Sequence, residues 1–365
     1  MCEMIRTFNS VGQGAFYTEE FTDNNFIMVY DCGSYQDKDI IEDEIKRSEL
    51  NKEIDLLVIS HFHEDHINGL EYLLKNHNIK NVILPFLHPT ERIEVFLHNS
   101  NQFVQNLCLY PEQTIKENSE FKDTKIIFVS EYNEELKHSD PIDINNLNNS
   151  VNSGTEITIT TQAKNCKWTY VPFNFRFKER STEIISIFKK EKIPLTIDEF
   201  LKFYTANKDK VIKAYRSLAG DMNTNSLVLY SGIPKQNKYD CDIECYLLSH
   251  YPFEYYRHYH QVGCLYLGDY NSKGEQKWKQ LHDTFKEYFE FISIIQIPHH
   301  GSRHNYNDKL NFKNNLISIM SAGINNKFTH PHASTVKKIV LNNGIPIIVT
   351  ENPSTRFIQK IRCYF

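Results

Sequence analysis

The 365-residue chain is poor in the features that mark fibrous, disulfide-rich or membrane-spanning proteins. It holds only 13 glycines and 12 prolines, too few for a collagenous or linker-dominated protein. The longest apolar stretches, such as Ile54–Ile59, are far shorter than the roughly 20 residues that cross a bilayer as a helix. The first ten residues contain no apolar stretch typical of a secretory signal. We therefore expect a cytoplasmic protein that does not contact a membrane.

The sequence also lacks common cysteine and nucleotide-binding motifs. Its eight cysteines are scattered and include no C-x-x-C pair, so a zinc ribbon is excluded and free thiols of a reducing compartment are expected. No G-x-x-x-x-G-K-[ST] loop is present, so ATP-driven chemistry is not supported. Lys and Arg number 41 against 46 Asp and Glu, a formal net charge of −5. This excludes a simple basic nucleic-acid coat protein, but not an enzyme that holds phosphate through a metal or a local patch.

What the sequence does contain is a succession of short apolar strands and helices. Ile54–Ser60 is a near-continuous apolar run, typical of a strand buried on both faces. Leucines at helical spacing follow it in residues 68–75, and strand patterns return after residue 226. We therefore predict an α/β fold in a single domain over 1–365, with residues 86–220 as a mostly helical insertion.

Two features of the predicted insertion and its surroundings are more specific. Thr196–Glu199 is a capping box, which predicts a helix to about residue 217 with a break near Asn207. The stretches Phe173–Arg180 and Tyr251–His260 interleave aromatic and basic side chains. Such side chains can stack on bases, but they are equally typical of core strands and of contacts between subunits.

The strongest functional signal is the segment Ser60-His61-Phe62-His63-Glu64-Asp65-His66. It places three imidazoles and an aspartate directly after a buried strand, where α/β proteins carry their chemistry. Imidazole and carboxylate together suit zinc, iron or manganese, and two divalent ions about 3.5–4 Å apart are expected. The alternative, a polar loop with accidental histidines, leaves four potential ligands after an apolar strand unexplained.

The pattern H-x-H-x-D-H resembles the signature of the metallo-β-lactamase fold superfamily. Further segments are similar to other parts of that superfamily: Val11–Gly14 with Tyr30–Gly33, Leu267–Asp269, Pro298–Ser302 and Thr329–His332. The resemblance implies an αββα sandwich in which Asp31 supports the metal-site loop. The later segments resemble the hydrolase domain of the DNA-uptake competence channel family and its soluble relatives. That resemblance implies phosphodiesterase or nuclease chemistry, and a place in a bacterial defence system is a further expectation.

The same resemblance implies a site with two divalent ions, Zn²⁺ or Mn²⁺. Many superfamily members place a further histidine before a strand where this chain has Asn223, and this difference favours a weaker, exchangeable metal such as manganese. The order of the adjacent His299 and His300 stays open, with His300 preferred as the ligand and His299 facing the substrate. The expected ligands are His61 and His63 for one ion, Asp65, His66 and His300 for the other, and Asp269 as the bridge between them.

The expected catalytic groups lie in the same segments. Asp65 would orient the attacking water, and His330 or His332 would contact phosphate or protonate the leaving oxygen. The alternative is that these two histidines are a structural pair at a helix start. Ser302 and Arg303 would bind phosphate, although Ser302 could equally cap a helix.

We therefore predict a metal-dependent hydrolase that cleaves phosphodiester bonds, with DNA or RNA as its substrate. The nearest rival is a hydrolase of a cyclic nucleotide, a lactone or a thioester, which the net charge of −5 favours. A shallow basic groove beside the metals would favour the nuclease, and a closed apolar pocket the rival. Another alternative is a scaffold whose metals only stabilise the fold and whose residues 86–220 bind a protein partner. Such a partner could also gate an enzyme.

Overall fold

The computed structural model describes residues 2–136, 140–161, 166–176, 178–218, 226–237, 239–247, 254–259 and 261–364. Eighteen strands lie within these ranges: β1 Cys2–Phe8, β2 Gly14–Phe21, β3 Ile27–Ser34, β4 Glu53–Val58, β5 Asn78–Pro85, β6 Lys125–Val129, β7 Ile142–Asp143, β8 Ser150–Val151, β9 Ile157–Thr160, β10 Lys167–Asn174, β11 Leu227–Gly232, β12 Asp240–Leu247, β13 Glu254–Tyr259, β14 Gly263–Tyr266, β15 Ile292–Gln296, β16 Ile317–Ser321, β17 Ile345–Val349 and β18 Phe357–Tyr364. The same ranges contain ten α-helices: α1 Lys38–Arg47, α2 Glu64–Ile67, α3 Leu70–Asn76, α4 Pro89–His98, α5 Gln102–Leu109, α6 Pro111–Asn118, α7 Lys178–Lys190, α8 Ile197–Arg216, α9 Glu275–Phe285 and α10 Ala333–Leu341.

The strands form two sheets that pack face to face. The larger has the order β13-β12-β18-β1-β2-β3-β4-β5-β6-β8, and the smaller has the order β17-β16-β15-β14-β11-β10-β9-β7. Each sheet has a parallel part, β3 to β6 in one and β14 to β17 in the other. Parallel strands send their carboxyl ends to the same edge, so the loops that follow them meet there.

The core consists of one apolar layer between the sheets and one on the outer face of each. Aromatic rings of Phe8, Tyr17, Tyr30 and Tyr266 pack against one another between the sheets. Helices α1, α2, α3, α5 and α6 bury their apolar faces on the larger sheet, whereas α9 and α10 cover the smaller one. This arrangement is the predicted αββα sandwich.

Residues 86–220 are less separate from the sandwich than the sequence indicates. Within them β6 and β8 extend the larger sheet, and β7, β9 and β10 extend the smaller one. The part of residues 86–220 that lies outside the two sheets therefore consists mainly of the helical segments before and after these strands, α4 to α6 and α7 to α8. Helices α4, α7 and α8 share a small apolar cluster of their own that includes Phe96, Phe188 and Phe200.

Helix α8 follows its capping signal. It begins at Ile197 after Thr196, whose Oγ1 donates a hydrogen bond to Glu199 Oε2 at 2.8 Å. The predicted break is confirmed at Asn207, where φ is −136° and ψ is 35°.

The expectation that all the cysteines are free thiols is wrong for two of them. Cys241 and Cys363 face each other across the antiparallel pair of β12 and β18 and form a disulfide. Directly opposed positions bring their Cα atoms to 4.1 Å, so two cysteines there are within bonding range. The described helices include none long and apolar enough to cross a membrane.

Candidate metal centre

A buried carboxylate, that of Asp31, anchors the histidine-rich loop between β4 and α2. Asp31 lies near the end of β3, fully buried and with a φ of 57°. Its carboxylate accepts hydrogen bonds from Ser60 N at 2.7 Å, Ser60 Oγ at 2.6 Å and His66 Nδ1 at 2.7 Å. Asp31 therefore holds the start and the end of the loop, as the superfamily resemblance implies.

These hydrogen bonds also orient the imidazoles. Ser60 Oγ donates to Asp31 and lies 2.9 Å from Nδ1 of His61, so His61 Nδ1 is the donor in that contact. His66 Nδ1 donates to Asp31 in the same way, and His300 Nδ1 donates to the backbone oxygen of Ser321 at 2.9 Å. Each of the three rings therefore leaves its Nε2 as the nitrogen able to bind a metal.

The side chains proposed as ligands come together in two groups. In each group the potential ligand atoms lie within 4.8 Å of one another. Asp269 lies between the groups, with Oδ2 3.7 Å from His61 Nε2 and Oδ1 3.2 Å from His66 Nε2. One group contains His61, His63 and Asp269, and the other contains Asp65, His66 and His300.

The buried polar atoms at this centre fit a cation. Within the described part of the chain, Nε2 of His61 is buried without a hydrogen bond, and Nε2 of His66 and Oδ1 of Asp269 are buried with only each other within hydrogen-bonding distance, at 3.2 Å. Burying polar atoms without partners is costly, and imidazole nitrogens with shared carboxylate oxygens are the ligands of zinc and manganese. Two divalent cations bound here would polarise a water molecule and neutralise charge on an oxyanion.

The pKa shifts of most of these groups favour the protonation state that binds a cation, a neutral imidazole or an ionised carboxylate. Burial, reinforced by the neighbouring imidazoles, lowers the pKa of His61 well below its ordinary value, and the pKa of His63 falls to about 4. Burial raises the pKa of Asp269, but the surrounding histidines outweigh it and hold that pKa well below its usual range. His66 is the exception. Burial lowers its pKa, but Asp269 and Asp31 raise it well above its ordinary value, so metal binding must displace a proton there.

The two adjacent histidines take different positions. Both have positive φ, 49° for His299 and 55° for His300, in the turn that follows β15. His300 is buried, and its Nε2 lies 3.2 Å from Asp65 Oδ2. The side chain of His299 is 17% exposed and lines the cleft, with Nε2 3.8 Å from Asp269 Oδ2. The structure thus groups His300 with the second set of potential ligands and places His299 in the lining of the cleft.

His330 and His332 also line this cleft. Nδ1 of His330 lies 3.3 Å from the amide nitrogen of Gln13, so this amide donates to Nδ1 and Nε2 carries the proton. Burial, with help from neighbouring histidines, lowers the pKa of His330 to about 3, so its ring is neutral at neutral pH. His332 stands at the start of α10, and its Nδ1 accepts a hydrogen bond from Arg303 N at 3.2 Å. His332 therefore lies at the N-terminus of α10 and lines the cleft as well.

Ser302 and Arg303 flank the same cleft. Ser302 lines it, and its hydroxyl oxygen accepts a hydrogen bond from His304 N at 3.3 Å. The Arg303 side chain is exposed, and its Nε donates to His304 Nε2 at 3.3 Å. Asn223 and parts of the stretch 251–260 lie outside the described residues, and only the backbone of 254–259 is described.

Sequence reasoning missed several residues of the cleft, whose volume is about 520 Å³. The clearest is His98, at the end of α4, whose ring centre lies 4.9 Å from that of His63. No local pattern marks it, because it is an isolated histidine in a segment without motifs. Gln13 had a signal, since it lies in the turn that resembles the superfamily's opening hairpin. Tyr35 and Phe328 also line the cleft.

Fold and site together define an αββα sandwich of the metallo-β-lactamase type whose potential ligands could hold two metal ions, which supports a metal-dependent hydrolase. Residues 20–97, which include the histidine-rich loop, match the family model described as the metallo-beta-lactamase superfamily. No curated protein sequence matches the chain.

Three solved structures with some likeness to the chain are each 10% identical to it. The superposition on the metallo-beta-lactamase fold protein YhfI from Bacillus subtilis covers 96% of this chain and 96% of that protein, with a TM-score of 0.40. A diphosphatase from the PhnP family gives a TM-score of 0.31, over 81% of this chain and 73% of the other. MEM-A1, a subclass B3 metallo-beta-lactamase from a soil metagenome library, gives 0.30, over 81% and 76%.

Proposed function

We propose that the protein is a metal-dependent phosphodiesterase whose substrate is nucleic acid. The observation that carries this proposal is the character of the cleft above the paired ligand groups. Its lining consists mostly of imidazoles and other polar side chains. Two exposed cations contact that lining: Arg303 donates to His304, and Lys327 lies over the rings of Tyr35 and Phe328. The histidines of its wall are His63, His98, His299, His304, His330 and His332.

The chain's own side chains suit hydrolysis of a phosphodiester. Burial raises the pKa of Asp65, but His66 and His300 outweigh it, so the carboxylate is ionised and can accept a hydrogen bond from the attacking water. The protonated Nε2 of His330 can donate to a phosphoryl oxygen without carrying a charge. His299, also at the cleft, can contact the same phosphate. Preorganised donors of this kind stabilise charge that develops in the transition state.

A small-molecule hydrolase is the rival that this cleft disfavours. A lactone or thioester calls for a mostly closed apolar pocket around the substrate, since small ligands are bound by burial. Here the cleft is open, and apart from Phe328 its lining residues carry charged or hydrogen-bonding groups. A phosphate backbone needs cations and hydrogen-bond donors instead. The resemblance of the Gly-Asp, Pro-His-His-Gly-Ser and His-Pro-His segments to the competence-type hydrolases supports the same substrate class.

The test is a cleavage assay on circular DNA, linear DNA and RNA, with Mn²⁺ or Zn²⁺ supplied. Wild type is compared with His63→Ala, which removes a proposed ligand, and with His282→Ala, which removes a half-buried histidine of α9 outside the cleft. We expect metal-dependent cutting by wild type and His282→Ala, and none by His63→Ala. Equal cutting by His63→Ala would show that the proposed site is wrong. Failure of the metal-loaded wild type to cut any of the three substrates would refute the nuclease.

A further inference from the structure

Two exposed aromatic rings stand at the mouth of the metal cleft. Tyr35 follows the end of β3 and is 47% exposed, and Phe328 lies in the loop after β16 and is 41% exposed. Their ring centres are 5.5 Å apart at an interplanar angle of 73°. Both side chains line the cleft. These rings leave much of their surface accessible to a ligand in the cleft.

A cation accompanies the rings. Lys327 Nζ lies 5.0 Å from the ring centre of Tyr35 and 5.1 Å from that of Phe328. Aromatic rings next to an ammonium group can bind both parts of a nucleotide. The base stacks on an aromatic face, and the phosphate pairs with the cation. We define Tyr35, Lys327 and Phe328 as the aromatic platform.

The platform is joined to the catalytic groups. The ring of Phe328 stacks on that of His330, with centres 5.8 Å apart and an interplanar angle of 22°. His330 in turn lies 5.3 Å from His299 and 6.2 Å from His300, ring centre to ring centre. A base stacked on Phe328 would therefore hold its own phosphate close to the ligand groups.

The loop that carries Phe328 is preorganised. The Asn326 side chain donates to the backbone oxygens of Gly323 and His330, at 2.7 and 2.6 Å, and accepts from His330 N at 2.8 Å. On the other side, the backbone N of Tyr35 donates to Gln13 O, and the Gln13 amide contacts His330. One hydrogen-bonded unit thus holds both rings and His330, so little ordering is needed when a base binds.

We propose that the aromatic platform stacks an unpaired nucleobase and so selects single-stranded nucleic acid, or a nucleotide end, over duplex. In a duplex the base faces are stacked on each other and are not available to the rings. This inference rests on the proposed function for the position of the phosphate. It adds the substrate class and the residues that determine it.

The test measures binding by fluorescence anisotropy, with the metal-loaded full chain and a single-stranded phosphorothioate oligothymidylate that resists hydrolysis. An abasic strand of equal length is the comparison ligand, because it keeps the charge and lacks the bases. Stacking of one base corresponds to a preference of roughly 5- to 150-fold for the thymidylate strand. We expect Phe328→Leu and Tyr35→Leu to remove most of this preference and Phe328→Tyr to retain it.

The matched control is Phe86→Leu. Phe86 is exposed to the same extent as Phe328, 41%, but it does not line the cleft. This variant should keep the wild-type preference. Equal affinity of wild type for the two strands, or a full preference in Phe328→Leu, would overturn the platform. Competition by thymidine monophosphate that also depends on Phe328 would identify a nucleotide as sufficient, and its absence would identify the strand; either upholds the platform.

Failure of the platform and failure of the proposed function give different results. Base-dependent binding without metal-dependent cleavage of an ordinary oligonucleotide would refute the hydrolase and leave the platform standing. Metal-dependent cleavage with no preference for bases, and with the same KM in Phe328→Leu, would refute the platform and leave the hydrolase standing.

Discussion

Replacing Asp31 by asparagine tests how the metal centre is built. The carboxylate accepts from Ser60 N on one oxygen, and from Ser60 Oγ and His66 Nδ1 on the other. An amide has one oxygen and one NH₂ group. At least one of the donors that Asp31 accepts from would therefore face the NH₂ group of asparagine, which is itself a donor. If the NH₂ group faces His66, that ring loses the bond that fixes its orientation. If it faces Ser60 N, the start of the histidine loop is released.

The expected loss can be estimated from what Asp31 touches. It binds no metal itself, but it orients His66 directly and His61 through Ser60. Changing such a supporting group typically lowers metal affinity 10- to 100-fold, about 1.4 to 2.7 kcal/mol. A buried donor left without an acceptor also costs about 1–3 kcal/mol of folding stability. Asp31→Asn should therefore bind metal more weakly and unfold at a lower temperature.

The assay is metal affinity by competition with a chelator, with thermal unfolding followed in parallel. Asp55→Asn is the matched control. Asp55 also accepts a bond from a backbone amide, Ile27 N at 3.0 Å, and it pairs with Lys80, but it lies outside the metal cleft. This variant should keep wild-type metal affinity. Wild-type affinity in a folded Asp31→Asn protein would refute the idea that this carboxylate positions the ligands.

Three further predictions concern the metals and the helical segment. Because the carboxylates around His66 raise its pKa well above the ordinary value of 6.5, metal binding should release a proton. Affinity should then rise with pH, and calorimetric heats that do not depend on buffer ionisation would contradict this. Asp269→Asn should reduce bound metal, measured by equilibrium dialysis, whereas Asp308→Asn at an exposed ion pair should not; unchanged stoichiometry would exclude the bridge. Phe200→Ala should destabilise the fully buried α8 contact by about 3–5 kcal/mol in urea unfolding, and the exposed Phe86→Ala should cost far less. Equal losses in these two variants would contradict the packing described for α8.

Much of the site could be predicted because its residues follow strands directly. The histidine-rich loop comes after β4, Asp269 comes after β14 and His300 comes after β15. Parallel strands in the two sheets bring such loops to one edge, so local motifs were sufficient to name side chains that are distant in sequence. The roles of His299 and His300 could not be assigned in this way, because the direction of each side chain depends on the left-handed backbone conformation of both residues.

The strands of the middle segment escaped prediction for local reasons. β10 contains Pro172, which normally argues against the interior of a strand, and here that residue pairs with Leu229 of β11. β7 and β8 have two residues each, too few for a visible alternation. β12 did carry a signal, because Cys241, Ile243 and Cys245 alternate with exposed or half-buried residues.

The contacts of the helical segment could not be predicted, because they join residues without a shared motif. Glu64, next to the metal ligands, accepts hydrogen bonds from Ser100 N and Asn101 N, each at 3.1 Å. The Asn99 side chain donates to the backbone oxygen of Phe62 at 3.0 Å. The turn between α4 and α5 is therefore hydrogen-bonded to the loop that carries the potential ligands.

His98 extends this connection to α8. Its ring lies 4.9 Å from His63, and its Nδ1 lies 3.5 Å from the hydroxyl of Tyr215 near the end of that helix. A protein partner on residues 86–220 remains a prediction. If one binds there, the contacts that connect its binding site to the metal centre are those of Tyr215 in α8 with His98, and of His98 with His63, a potential ligand of the first group.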